Sequence, residues 1–144
     1  MALFDSIITE VTTQLISSGQ FTDCTIQASG NGNMRPNPLK KPHIMVGLAS
    51  AEITQCATNR NSSYGSATLR YKGDITLKID IAVPFELHGI TCTNIFSRLC
   101  TCLMGGLEST LEPVKISCGE VSSDRYSQAF VQSVRVGFNA ILTI

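Results

Sequence analysis

The sequence predicts an α+β domain in which two amphipathic helices pack on one face of a mixed, mostly antiparallel β-sheet. Apolar side chains alternate strictly over Asp74–Val83 and again over Val134–Ile144, which is the period of a half-buried strand. An amphipathic helical pattern lies between them, at Gly89–Gly106. With 144 residues the chain is long enough to bury one core. We therefore expect a single domain over residues 1–144.

The amino-terminal elements begin with a helix at Ala2–Ser17, ended by Gly19. Its apolar face is formed by Phe4, Ile7, Ile8, Val11, Leu15 and Ile16. A short strand is predicted at Thr22–Ala28 and a longer one at His43–Gln55. The segment between them, Ser29–Pro42, is rich in glycine, asparagine and proline, so it reads as an exposed loop.

The next strand, Asp74–Val83, follows a polar, turn-rich tip at Thr58–Ala67 and is ended by Pro84. In the second helix, Thr91 or Thr93 is the expected cap. Its predicted buried face contains Ile95, Phe96, Leu99, Cys100 and Leu103.

Two segments complete the predicted chain before the final strand. Val114, Ile116 and Cys118 alternate as a strand, and Gly119–Gln128 turns the chain into the last element. Alternation up to Ile144 is unusual, because chain ends usually fray. The last strand is therefore either an inner member of its own sheet or covered by an adjacent subunit.

Charge and composition limit the classes of partner. Formal net charge is zero and 15% of residues are charged, which disfavours sequence-independent binding to nucleic acid. The first residues contain neither a signal peptide nor a membrane-spanning run, so we expect synthesis in the cytoplasm. The predicted outer strand faces carry few charges, which fits either a wet subunit interface or a neutral solvent face. The polar residues of these faces are Thr54, Gln55, Thr76, Ser133, Asn139 and Thr143.

No set of residues predicts catalysis, a metal site or a cofactor. His43 and His88 are the only histidines, and we interpret both as ordinary residues at loop edges. The six cysteines are expected to be free thiols, and the spacing of Cys100 and Cys102 does not suit zinc. The glycine-containing turns lack the lysine and following helix of a phosphate loop.

Four stretches of sequence carry a family resemblance: FDSIITEV, KKPHIMVGL, ITLKIDIAVPFELHGITCTNIFSRLCTCL and VKISCGEVSSDRYSQAFVQSVRVGFNAILTI. In element order and apolar pattern they resemble the tail terminator, or tail-completion, proteins of long-tailed phages and phage-derived contractile particles. The resemblance covers nearly the whole chain. It implies a small protein with two helices on a β-sheet that forms a hexameric ring, stops polymerisation of the tail tube and offers a surface to the head connector. It implies no metal, cofactor or catalytic residue.

The resemblance also implies partners and location. We expect contacts with tail-tube and sheath proteins, DNA passing through the ring without sequence-specific binding, and no membrane partner. The protein would be in the host cytoplasm during assembly and in the tail neck of the mature particle. Candidate interface residues are Arg35, Lys40, Lys41, Arg60, Tyr64, Phe138, Leu142 and Ile144.

Three alternatives stay open at this point. The chain could be another neck or baseplate component, since such proteins share this size and pattern. It could be a small-ligand or peptide-binding module with Ser29–Pro42 as a lid. It could also be a thiol enzyme, for which Cys92 near the start of the second helix is the candidate nucleophile.

Overall fold

The computed structural model describes residues 3–29, 39–58, 69–104 and 111–143. Its elements are α1 (Leu3–Ser17), β1 (Thr25–Ala28), β2 (His43–Thr58), β3 (Leu69–Pro84), a 3₁₀ turn (Phe85–Leu87), α2 (Ile90–Met104), β4 (Glu112–Cys118), β5 (Ser122–Asp124) and β6 (Ala129–Thr143). The strands form one six-stranded sheet in the order β1-β2-β3-β6-β4, with β5 also paired to β6. β1 and β2 are parallel and the other pairs are antiparallel. The predicted α+β class is confirmed.

β3 and β6 form the centre of the sheet. Their antiparallel register runs without interruption from the pair Arg70 and Thr143 to the pair Pro84 and Ala129. β6 is paired on its other side with β4 and β5. The apolar alternation near the carboxyl end is therefore explained by the position of β6 as an inner strand of its own sheet.

The core lies between the sheet and both helices. The alternating side chains of β3 and β6 that face the helices are at most 3% exposed, as their period predicts. They are Ile75, Leu77, Ile79, Ile81 and Val83 on β3, and Val134, Val136, Phe138 and Ala140 on β6. Each large apolar side chain buried in this way stabilises the fold by about 1.5–3 kcal/mol.

α1 packs on the sheet through the predicted face, with Val11 and Leu15 fully buried. Gly19 follows the helix with φ 73°, a left-handed conformation that costs a glycine little. Ile16 departs from the prediction and is 60% exposed. One helical step turns it by about 100° from Leu15, which carries it off the buried face.

α2 also packs on the core, with a small change in its buried face. Cys102 is buried, whereas the predicted Cys100 and Phe96 are only half-buried. Ile95, Leu99 and Cys102 follow one another at intervals of four and three residues, so they share the face that meets the sheet. Thr91 is not an N-cap of the expected kind, because its hydroxyl donates a hydrogen bond to the Leu87 carbonyl.

The first strand is shorter than predicted. β1 begins at Thr25, because the chain from Phe21 to Cys24 turns and the Cys24 amide donates to the Phe21 carbonyl at 3.0 Å. Phe21 is buried in this turn. The side chains of Thr22 and Asp23 are exposed there rather than paired in a sheet.

The carboxy-terminal strands also differ from the predicted pattern. A bulge between Pro113 and Lys115 breaks the alternation of β4 and leaves Val114 55% exposed. The predicted turn over residues 119–128 contains the short strand β5. Pro84 does not end its strand at Val83, since it pairs with Ala129 as the last residue of β3.

Arg98 on α2 contacts the turn between α1 and β1 through hydrogen bonds and the Phe21 ring. Arg98 Nη1 donates to Asp23 Oδ1 at 2.9 Å and to the Gln20 carbonyl at 3.0 Å. Its guanidinium carbon lies 5.9 Å from the centre of the Phe21 ring, within range of a cation–π contact. These contacts join two segments that are distant in sequence, α2 and the turn over Gln20–Asp23.

We expect the Asp23–Arg98 pair to stabilise the protein by about 0.2–1 kcal/mol, since both side chains are partly solvent-exposed. The hydrogen bond from Arg98 lowers the pKa of Asp23 below its usual 3.8. A lowered carboxyl pKa gives stability that is present above the unfolded pKa and lost as pH falls through the folded pKa. Denaturant unfolding of wild type, Asp23→Asn, Arg98→Ala and the double variant should give a coupling energy that disappears in acid. A coupling unchanged below pH 3.8 would contradict this account.

Candidate interaction surfaces

The sheet has one face without a helix among the described residues, which we call the open face. Leu39 covers Ala82 and Ala129 at one end of it. Among the side chains that the structure describes, eight charged ones of both signs lie on the remainder, placed there by the strand register. They are the basic residues Lys72, Lys78, Lys115 and Arg135 and the acidic residues Glu52, Asp74, Asp80 and Glu112.

The prediction of a nearly uncharged outer surface was therefore wrong. Thr76, Ser133 and Asn139 do lie on the open face, but they alternate with charged residues of the same strands. Gln55 pairs with Tyr71 and belongs to the opposite face. The signal was present in the sequence, because Lys72, Asp74, Lys78 and Asp80 share the period of Thr76 on β3.

Charges on the open face are locally balanced. Lys78 Nζ lies 3.8 Å from Asp80 Oδ1, and the Ser133 hydroxyl donates to the same carboxylate oxygen at 2.9 Å. Four positive and four negative groups give no single-sign field of the kind that concentrates phosphates. A mixed surface of this kind suits a protein partner with complementary charges.

Two clefts lie at opposite ends of the sheet. The Lys72 cleft has a volume of about 220 Å³ and is lined by Lys72, Glu112, Asn139, Ala140 and Ile141. The Phe85 cleft, of about 410 Å³, is lined by Leu39, Lys40, Pro84, Phe85, Glu86 and Gln128. Neither lining contains a serine, cysteine or histidine among its described residues. Within the described ranges, no group of three metal-ligating side chains comes together.

Strained backbone borders the Phe85 cleft. Gln128 has φ 52°, and its carbonyl accepts a hydrogen bond from the Phe85 amide at 3.1 Å. His88, which follows the 3₁₀ turn, has φ 63° and ψ 157°, a conformation found mainly in glycine. Strain of this kind recurs at binding sites, so the Phe85 cleft is the better candidate for a small ligand.

The predicted interface residues fall into three groups: exposed residues, a buried residue and residues outside the described ranges. Lys40 and Lys41 are exposed just before β2, as a contact role requires. Phe138 is a correction: it is 1% exposed and lies in the core, so its side chain cannot meet a partner. Arg35, Arg60, Tyr64 and Ile144 lie outside the described residues, and the side chain of Leu142 is likewise not described. The same holds for most of the two predicted loops, residues 30–38 and 59–68.

The two histidines occupy different environments. His43 is 3% exposed and its Nε2 lies 2.9 Å from Gln27 Oε1, so the interpretation of His43 as a loop-edge residue was wrong. It is buried because its strand position places it beside Thr25 of β1 and Ala82 of β3. His88 is exposed.

Burial keeps the described core thiols protonated. It raises the pKa of Cys92 to about 11 and that of Cys24 to about 12. A nucleophilic cysteine needs the opposite shift, toward the thiolate at neutral pH. Cys92 is fully buried on the inner face of α2, and its thiol donates to the Phe130 carbonyl at 3.7 Å.

We predict that the six cysteines are all free thiols. The five whose side chains are described form no disulfide, and two of them lie in the core as small apolar groups. Titration of the denatured protein without reductant should find about six thiols per chain, by the count of cysteines in the sequence. The same titration after reduction is the control. Recovery of two or fewer in the untreated sample would show that disulfides have formed.

Comparisons with known proteins add no family assignment. No protein-family model matches the chain, and no curated protein matches it. Neither described helix has the length and apolar character needed to cross a bilayer.

Proposed function

We propose that this protein is a structural subunit of a phage-type tail that assembles into a ring, caps the tail tube and joins it to the head connector. The observation that carries the proposal is the one-sided sheet: helices cover one face, and the described part leaves the other face solvent-exposed with balanced charges. Such a layer suits repeated contacts between protein subunits. The resemblance in element order over nearly the whole chain supplies the specific role.

The same proposal gives the partners and location. Six copies form the ring, tail-tube and sheath proteins meet one side of it, and the connector meets the other. DNA passes through the ring without sequence-specific binding, and the zero net charge of the subunit disfavours tight sequence-independent binding as well. The protein is in the host cytoplasm during assembly and in the neck of the finished particle. Another neck or baseplate role is the nearest alternative, since it would use the same surfaces.

A binding module for a small ligand or peptide is the second candidate, favoured by the Phe85 cleft and the strained backbone of Gln128 beside it. Its charged groups, Lys40 and Glu86, could orient a polar ligand. A binding module would work as a monomer, which separates it from a ring subunit.

Two measurements test the ring function. Size-exclusion chromatography with light scattering should give a discrete hexamer for the purified chain. Deletion of its gene from the particle locus should give tail tubes of uncontrolled length, visible by electron microscopy and corrected by supplying the chain in trans. Tubes of normal length that join heads without this protein would overturn the proposed function.

A further inference from the structure

β2 has a long edge with no partner strand in the described part of the chain. β1 pairs with β2 only over His43–Val46, and the last hydrogen bond of this side runs from the Ser29 amide to the Val46 carbonyl at 2.7 Å. β2 continues to Thr58. Within the described ranges Gly47–Thr58, about 40 Å of strand at 3.3 Å per residue, is therefore paired with β3 alone.

The register identifies the backbone groups on this free edge. The Val46 carbonyl points away from β3, so the amide and carbonyl of Leu48 do as well, because backbone groups alternate along a strand. A bulge at Ala49 shifts the alternation by one residue. Beyond the bulge, the amides and carbonyls of Ala51 and Ile53 point away from β3. Their partners on β3 lie two and four residues from the partner of Leu48, so they have the same backbone orientation.

The side chains of this edge favour strand addition. Gly47–Gln55 contains one charged residue, Glu52, and no proline, lysine or arginine. Leu48 and Ile53 are 41% and 38% exposed. Free edges are normally blunted by lysine, proline or bulges, and apart from the bulge at Ala49 this one is not. A row of free amides and carbonyls beside exposed apolar groups is the surface to which another strand adds.

The other edge of the sheet is β4, and its first half is protected. Pro113 cannot donate to a ladder, and the bulge at Val114 interrupts the strand. Lys115–Cys118 remains regular, and its outer side has no partner strand among the described residues. Lys115 lies on the open face, as Glu52 does at the β2 edge, and the two have opposite charges.

We propose that Gly47–Gln55 of β2 pairs with Lys115–Cys118 of a neighbouring copy of this chain, so that the sheet continues from one subunit to the next. The inference rests on the ring function, because a closed ring needs two different, complementary patches on each subunit. The two free sheet edges are such a pair of patches. Glu52 of one copy then lies near Lys115 of the next copy and fixes the direction of pairing.

Ala51→Pro is the first test. Its amide faces away from β3, so proline should leave the monomer stable and remove a donor needed by the added strand. We expect an unchanged melting temperature and loss of the hexamer at concentrations where wild type is assembled. Glu52→Pro is the matched control, because its amide faces β3 and its loss should lower the melting temperature.

Hydrogen exchange tests the same edge without altering the fold. The amides of Leu48, Ala51 and Ile53 should be protected in the assembled protein and exchange rapidly after dilution to monomer. Protection that persists in the monomer would show that the chain covers its own edge, and would overturn the inference.

A charge exchange identifies the partner strand. Glu52→Lys should weaken assembly, and Glu52→Lys combined with Lys115→Glu should restore it. Glu86→Lys, in the exposed 3₁₀ turn that follows β3 and outside both sheet edges, is the control for the same change of charge. Failure of the double variant to restore assembly would show that β2 does not meet β4.

The outcomes separate this inference from the function on which it rests. A wild-type chain that is monomeric at every concentration contradicts the ring function and the strand pairing together. A hexamer that survives Ala51→Pro with no protected edge amides overturns the strand pairing alone and leaves the ring function standing.

Discussion

Replacing Phe138 with alanine is expected to lower the free energy of unfolding by about 3–5 kcal/mol, as for other buried aromatic residues. Phe138 is 1% exposed and pairs with Ile75 of β3 and Pro113 of β4 in the middle of the sheet. Truncation removes contacts with both neighbours and leaves a cavity that the paired strands cannot close. Chemical denaturation followed by circular dichroism measures the loss.

Ile141→Ala is the matched control on the same strand. Its side chain is 53% exposed on the open face, so we expect a loss of less than about 1 kcal/mol. The pair also decides whether Phe138 is a core or a contact residue. A Phe138→Ala protein with unchanged stability but smaller oligomers would contradict the core assignment.

A chain shortened to end at Ala140 should lose about 2 kcal/mol of stability. The change removes the partners of Arg70, Tyr71 and Lys72 on β3, and of these pairs only the one at Tyr71 exchanges two backbone hydrogen bonds, each of about 1 kcal/mol net. Ile141 is largely exposed, so its own side chain adds little to this loss. Thermal unfolding of the shortened and full-length chains, with Ile141→Ala as control, measures the difference.

Because β6 is an inner strand, the shortened chain should still fold through its remaining pairs with β3 and β4. Any loss of oligomer should accompany the loss of stability. A shortened protein with full stability and no oligomer would instead place residues 141–144 at a subunit interface.

The centre of the fold could be predicted from local pattern. Over Asp74–Val83 and Val134–Ala140 every second residue is apolar and buried, and a period of two has only one structural interpretation at that length. The two helices follow from a similar argument with a period of 3.6. Class, helix number and most of the core were therefore accessible without coordinates.

Local pattern could not supply the bulges, the short strand β5 or the strand order. The exposure of Val114 depends on how β4 is aligned with β6, and no property of β4 alone fixes that alignment. The candidate site was predicted least well for the same reason. The prediction of Phe138 as a contact residue fails because its side chain faces the helix-covered core. The free edge of β2 depends on where β1 stops, at Ala28.

The position of β6 determines when the sheet can form. β6 is synthesised after every other described strand, yet it lies between β3 and β4. Until it leaves the ribosome, β3 has a partner on one side only and β4 has nothing to pair with. Contacts between such distant segments, as in the pair Arg70 and Thr143, make folding slow. Until β6 emerges, the nascent chain exposes unpaired strands, and its yield should depend on chaperones and on temperature.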